Sequence, residues 1–125
     1  PNLDRVIRIK TSTCRGGIIE NVFVRDITVG QCREAVLRIN LQYENRENCN
    51  RNFPPVVRNV HLKNVTCEKS RLGVLIIGLD DDQHVYNISV EDSHFNNVAK
   101  GTNDIKGAKD VTLKNLYING KLVKE

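Results

Sequence analysis

Two cationic side chains near the start of the chain have the type and spacing to bind an anion. Arg8 and Lys10 alternate with Ile7 and Ile9 in the sequence I-R-I-K. Side chains two residues apart on a β-strand point to the same face, so the two cations are predicted to stand side by side above an apolar pair. Lysine and arginine bind carboxylates, and arginine can do so through two parallel hydrogen bonds. The segment therefore predicts a surface that binds a ligand with carboxylate groups.

The same pattern returns in the sequence R-I-N, which contains Arg38 and Asn40. If the two strands are neighbours about 4.8 Å apart, their outward side chains form one polar patch with three cations. Tyr43 follows shortly afterwards, where its ring could stack on a sugar. An ordinary solvated strand face is the alternative interpretation of these charges.

Four further segments of the chain repeat a second strand pattern. Each begins with Asn or Asp, alternates apolar with polar residues, and places another Asn or Asp five positions later. The first positions are Asn21, Asn59, Asn87 and Asp110, and the second are Asp26, Asn64, Asp92 and Asn115. Asn and Asp tolerate the left-handed backbone that a sharp corner requires. Strand repeats at irregular intervals are typical of a solenoid with loops of variable length.

Together the two strand sets predict an all-β fold, a right-handed parallel β-helix of about four coils. The first set comprises Val6–Lys10, Val36–Leu41 and Val74–Leu79, aligned so that Ile9, Ile39 and Ile77 stack inside the tube and Ile76 and Gly78 face outward. In the second set, two inward columns are predicted: Val22, Val60, Ile88 and Val111 in one, and Val24, Leu62, Val90 and Leu113 in the other. The sequence D-I-K-G from Asp104 to Gly107 is interpreted as a loose turn, and the last strand is expected to end near Ile118.

The stretch from Asp4 to Val29 carries a family resemblance. R-I-K on an exposed strand face, a Gly-Gly turn and then I-E-N-V-x-V resemble the polygalacturonases, the pectin-cleaving glycoside hydrolases of family 28. The resemblance runs through nearly the whole chain but matches only the C-terminal part of the family pattern. It implies that residues 1–125 form a single β-helix domain, truncated at its N-terminal end, that corresponds to the C-terminal coils of a longer enzyme. It also implies that this enzyme is secreted or periplasmic, needs no cofactor or metal, and hydrolyses polygalacturonate or a related acidic pectic chain with inversion.

The residues with which this family cleaves its substrate do not occur in the 125 residues. Glycoside hydrolysis normally requires two carboxyl groups. In family 28 they belong to N-T-D and D-D motifs, which precede the R-I-K strand together with a G-H-G histidine. The run Asp80–Asp82 follows that strand and is interpreted as a solvated turn, with an acidic rim to the cleft as the alternative. The chain alone is therefore predicted to be inactive, and the substrate-binding residues are predicted to be Arg8, Lys10, Arg38, Asn40 and Tyr43.

Composition excludes several other classes of protein. The net charge of +4 comes from basic residues that are mixed with 15 acidic ones, and aromatic residues are few, so nucleic-acid binding is not expected. No apolar run is long enough to cross a bilayer.

Four cysteines (Cys14, Cys32, Cys49 and Cys67) permit a disulfide without indicating the pairing, and buried thiols are the alternative. Their spacing does not match a zinc site.

Other functions remain open at the level of the sequence. The domain could be a non-catalytic uronide-binding module, or a structural β-solenoid such as a tailspike or adhesin segment. A pectate lyase would need a calcium cage of acidic residues where this surface is basic.

The open coil at the N-terminal end presents unpaired strand edges, through which end-to-end self-association is expected. Asn64 and Asn87 match the glycosylation acceptor pattern, but their corner positions favour a structural role.

Overall fold

The structure is a computed structural model that describes residues 7–11, 16–42 and 54–123. Within these ranges every regular element is a β-strand. The nine strands are β1 (Ile7–Lys10), β2 (Ile18–Val29), β3 (Ala35–Asn40), β4 (Val56–Cys67), β5 (Leu72–Ile77), β6 (Val85–Phe95), β7 (Asp104–Lys106), β8 (Lys109–Ile118) and β9 (Lys121–Leu122). No helix that could span a membrane occurs in the described residues.

Short and long strands alternate along the chain and form two separate sheets. The short strands pair in the order β1-β3-β5-β7, and the long strands pair in the order β2-β4-β6-β8, with β9 at the edge. All pairs are parallel except that of β8 with β9. Each turn of the chain therefore adds one strand to each sheet, and four turns are stacked. The prediction of an all-β parallel β-helix with about four coils is confirmed.

Each long strand bends at two left-handed residues. All eight Asn and Asp positions identified from the repeat have a positive φ, between 51° and 60°. Their side chains form ladders across the coils: the Asn59 Nδ2 donates to the Asn21 Oδ1 at 3.1 Å, and the Asn87 Nδ2 donates to the Asn59 Oδ1 at 2.6 Å. Asn64 likewise donates to the Asp26 Oδ1 at 2.9 Å. The side chains of both glycosylation-pattern asparagines thus act in the corner ladders.

The core consists of the inward columns that the sequence predicts. Val22 pairs with Val60, Val60 with Ile88, and Ile88 with Val111. The parallel column runs through Val24, Leu62, Val90 and Leu113. Members in the two middle coils are completely buried, whereas those in the first and last coils are half-buried. The inward residues of a coil are therefore fully buried only where another coil packs on each side.

Two predictions about the short sheet are wrong. Ile39 pairs with Ile76, so Ile76 is the inward residue of β5 and Ile77 is not. The strand from Leu72 to Ile77 is apolar on both faces, and alternation therefore could not determine its register. The segment interpreted as a loose turn from Asp104 contains β7, which pairs with β5. A strand of three residues is too short to show a periodic pattern, and its pairing depends on the strand beside it.

Candidate functional site

The outward face of β1 and β3 brings four predicted residues together. Arg8 pairs with Arg38 and Lys10 pairs with Asn40 in the parallel register of the two strands. The inward side chains between them, Ile9 and its neighbour in β3, are buried. The four polar residues Arg8, Lys10, Arg38 and Asn40 are called the cationic patch below.

The two arginines of the cationic patch are partly buried and poorly compensated. Within the part of the chain that the structure describes, the Nε atoms of Arg8 and Arg38 have almost no solvent exposure and no hydrogen-bond acceptor. A buried donor without an acceptor costs about 1–3 kcal/mol. Two like charges side by side on neighbouring strands also repel each other. An anionic group placed against the solvent-facing ends of the two guanidinium groups would relieve this repulsion.

Apolar side chains border the cationic patch on the next strand. Leu75 pairs with Arg38, and Ile77 pairs with Asn40. Leu75 is buried in a small outer cluster with Ala35 and Leu72, against which Ile77 packs. The sequence pattern predicts Ile76 and Gly78 at these positions, one residue out of register with β5 in the structure. The patch ends at the third coil, at the apolar residues Leu75 and Ile77.

The patch residue Asn40 also has a structural role at the end of β3. Its Oδ1 accepts a hydrogen bond from the backbone N–H of Gln42 at 2.8 Å. The Gln42 side chain in turn donates from Nε2 to the Gly78 carbonyl at 2.6 Å. The amide NH₂ of Asn40 and the second lone pair of its Oδ1 are left to meet a ligand. Tyr43 lies outside the described residues, so its predicted stacking role stays a prediction.

The acidic run Asp80–Asp82 forms an exposed bend after β5. Its carboxylates are used locally: the Asp81 Oδ1 accepts from the Gln83 backbone N–H at 2.8 Å, and the Asp82 Oδ1 accepts from the Gln83 Nε2 at 2.6 Å. The Asp81 Oδ1 also lies 3.5 Å from the His84 Nε2. These contacts are those of a solvated turn, the interpretation that the sequence favoured. Among the described residues, no three His, Cys, Asp or Glu side chains are grouped so that they could hold a metal.

Aromatic rows on the outer face of the long sheet are a feature that sequence reasoning missed. The rings of Phe23 and His61 stack with centroids 5.3 Å apart, and the His61 Nδ1 lies 2.6 Å from the Ser89 Oγ. A second pair, His94 and Tyr117, stacks at 5.0 Å. The alternation of a single strand does not reveal which residue lies beside His61 on the next coil. Alignment of the repeats places Phe23 beside His61 and His94 beside Tyr117, so this alignment could have predicted both stacks.

The chain is similar in structure to a hyperthermoactive exopolygalacturonase from Thermotoga maritima. The TM-score is 0.84 and the sequence identity 32%, over 96% of this chain and 26% of that enzyme. The chain thus spans about a quarter of the length of the protein it matches. No family profile matches the sequence, and no curated protein matches it either. The fold of this chain is therefore that of part of a polygalacturonase β-helix.

Proposed function

We propose that this chain is the C-terminal part of a polygalacturonase-like glycoside hydrolase of family 28 that acts on pectic polysaccharides. The proposal is supported by the 32% identity to an exopolygalacturonase over nearly the whole chain. The observation that carries it furthest is the pairing of Arg8 with Arg38, two half-buried arginines side by side on one outward strand face. Two stacked arginines of this kind suit a ligand that carries regularly spaced carboxylates.

The role of this chain in the proposed enzyme is to hold the substrate. A chain of uronic acid sugars presents one carboxylate per sugar, and the guanidinium group of Arg8 or Arg38 can donate two parallel hydrogen bonds to one of them. Lys10, which is exposed, adds attraction that acts over a longer distance and is weakened by salt. The apolar border formed by Leu75 and Ile77 limits the patch to the first two coils.

Cleavage in this proposal belongs to residues outside these 125. The reaction class is hydrolysis of galacturonosyl linkages with inversion, in which one carboxyl group protonates the leaving oxygen and another activates water. The chain supplies binding energy rather than the acid and the base, without a cofactor, in a secreted or periplasmic enzyme. By itself it should bind an acidic pectic chain and leave it intact.

Calorimetric titration of the chain with a short galacturonate oligomer tests the proposal. Binding is expected for the free acid and not for its methyl ester, which has the same sugar skeleton without the charges. Arg8→Ala and Arg38→Ala are each expected to weaken binding about tenfold or more, since a charge-assisted hydrogen bond contributes about 1.5–3 kcal/mol. Affinity should also fall as salt is raised.

Lys63→Ala provides the matched control, because Lys63 is an exposed cation on the long sheet, away from the patch. It removes the same charge and should leave the affinity unchanged. Equal weakening by Lys63→Ala would mean that only net charge attracts the ligand. Equal affinity for the ester, or no binding of the acid, would contradict the proposal directly.

A further inference from the structure

Two cysteines from successive coils meet inside the tube. Cys67 is the last residue of β4, and Cys32 lies in the connection between β2 and β3. Their sulfur atoms are 3.5 Å apart, and both residues are buried, with at most 1% of their surface exposed. The sequence predicted that a disulfide was permitted but could not indicate which cysteines would form it.

We propose that Cys32 and Cys67 form a disulfide that cross-links and stabilises two neighbouring coils. The proposal is independent of the function proposed above. A disulfide requires sulfurs about 2.05 Å apart, so the two sulfurs must approach by less than the length of one C–C bond. Rotation of the two side chains can supply such a movement.

Backbone hydrogen bonds already hold the two coils together beside the pair. The Cys32 N–H donates to the Lys69 carbonyl at 2.8 Å, two residues beyond Cys67. The Glu68 N–H, one residue beyond Cys67, donates to the Val29 carbonyl at 3.1 Å. The stacking of the two coils therefore keeps the two cysteines next to each other.

The contact with Cys32, which involves only the first two coils, favours the thiolate of Cys67 that starts disulfide exchange. The hydrogen bond with the Cys32 side chain lowers the pKa of Cys67 from 9.0 to about 7, although burial acts in the opposite direction. A thiolate is the nucleophile in thiol–disulfide exchange, and a thiol whose pKa is near the ambient pH attacks most effectively.

The oxidant in the proposal is a small-molecule disulfide such as oxidised glutathione. The Cys67 thiolate attacks one glutathione sulfur, which breaks the glutathione S–S bond, releases one glutathione thiolate and forms a mixed disulfide. Cys32 then loses its proton to water and attacks the Cys67 sulfur, which releases the second glutathione thiolate. The two cysteines have lost two electrons and two protons, and the two glutathione thiols have gained them.

Burial of both sulfurs indicates when the bond forms. A glutathione molecule cannot reach sulfurs that are closed inside the stacked coils, so exchange is expected during folding, before the third coil packs on the second. The bond closes a loop between positions 32 and 67 and restricts the unfolded chain, which stabilises the folded one.

Peptide mapping after refolding tests the pairing, because each cysteine lies in its own tryptic peptide. Cys32 is in residues 26–33, Cys67 in 64–69, Cys14 in 11–15 and Cys49 in 47–51. The chain is refolded in a glutathione redox buffer, alkylated, and digested without reduction. A linked pair of peptides 26–33 and 64–69 that separates on reduction is expected. Alkylated Cys32 and Cys67, or a link from either to Cys14 or Cys49, would overturn the proposal.

A second measurement tests the stabilisation in a protein that keeps the buried pair. In the Cys14→Ser/Cys49→Ser protein, the two remaining cysteines should still form the link, and reductant should lower the denaturant midpoint of unfolding. The control, which carries Cys32→Ala and Cys67→Ala in addition to these two changes, should have the same midpoint with and without reductant. If reductant leaves the midpoint of the Cys14→Ser/Cys49→Ser protein unchanged, the bond does not stabilise the coils and the proposal fails.

Discussion

The corner residues of this β-helix combine two properties that few side chains offer together. A left-handed backbone costs most residues about 1–2 kcal/mol, and Asn, Asp and Gly tolerate it best. Asn can also donate and accept through its amide, so the side chains of a column of asparagines can hydrogen-bond to one another from coil to coil. Asn59 does both, because it donates to Asn21 and accepts from Asn87. Glycine would provide the first property without the second.

Replacement of Asn59 should separate these two contributions. Asn59→Ala loses the ladder hydrogen bonds and also strains the backbone at φ 57°, so we expect a loss of about 2–3 kcal/mol in the free energy of unfolding. Asn59→Gly loses only the hydrogen bonds and should cost about 1 kcal/mol. Denaturant unfolding of the three proteins measures both. Equal losses in the two variants would show that the left-handed backbone carries no cost here.

At the scale of the strands, the short sheet depends on a close backbone approach. A Cβ atom on Gly78 would lie 2.1 Å from the carbonyl oxygen of Gly107, an atom of the next coil that cannot rotate away. Gly78 follows β5 directly, and its N–H donates to the Lys106 carbonyl at 2.8 Å. The glycine therefore allows two coils to stack where a side chain would force them apart.

Gly78→Ala is expected to destabilise the protein by about 3 kcal/mol, at the upper end of overpacking costs. Gly17→Ala is the control, since Gly17 has φ +88° but no atom within 4 Å of the added Cβ. It should cost only the left-handed strain of about 1–2 kcal/mol. Denaturant midpoints of the two variants give the comparison. A smaller loss for Gly78→Ala than for Gly17→Ala would mean that the coils separate easily.

The strands also show how far the sequence could predict the fold and the site. Long strands alternate cleanly between two Asx corners, so their register followed from residue types alone, and so did the pairing of Arg8 with Arg38. In β5 both faces are apolar, and nothing within Leu72–Ile77 distinguishes inside from outside. The border of the cationic patch was misplaced for that reason. The aromatic stacks and the Cys32–Cys67 contact join residues of neighbouring coils. The residue pattern of a single strand carries no information about which residues lie beside it on the next coil.

At the scale of the whole molecule, the first coil leaves apolar residues exposed in the described part of the chain. Ile18 and Phe23 of β2 are 57% and 70% exposed, and the inward residues Val22 and Val24 are only half-buried. In the described structure no strand pairs with the outer edge of β2. An exposed edge with apolar side chains favours pairing with another chain.

The isolated chain is therefore expected to self-associate through the β2 edges of two copies, in a concentration-dependent way that sedimentation velocity can measure. Ile18→Lys should shift the equilibrium towards monomer, since a charge on an edge strand opposes pairing. Leu122→Lys is the control, because Leu122 is similarly exposed, at 50%, but lies in β9 at the other end. A chain that stays monomeric at all concentrations, or an equal effect of both variants, would contradict association through this end.

Successive coils of the long sheet contain 38, 28 and 23 residues, yet they place equivalent corners directly above one another. The third coil is shorter mainly because β7 has only three residues, whereas the first coil exceeds the second almost entirely in the connections between strands. Insertions and deletions in these connections can change the surface of the β-helix while the stacking of the strands stays the same. Such a scaffold can therefore acquire new surface shapes in evolution without a change of fold.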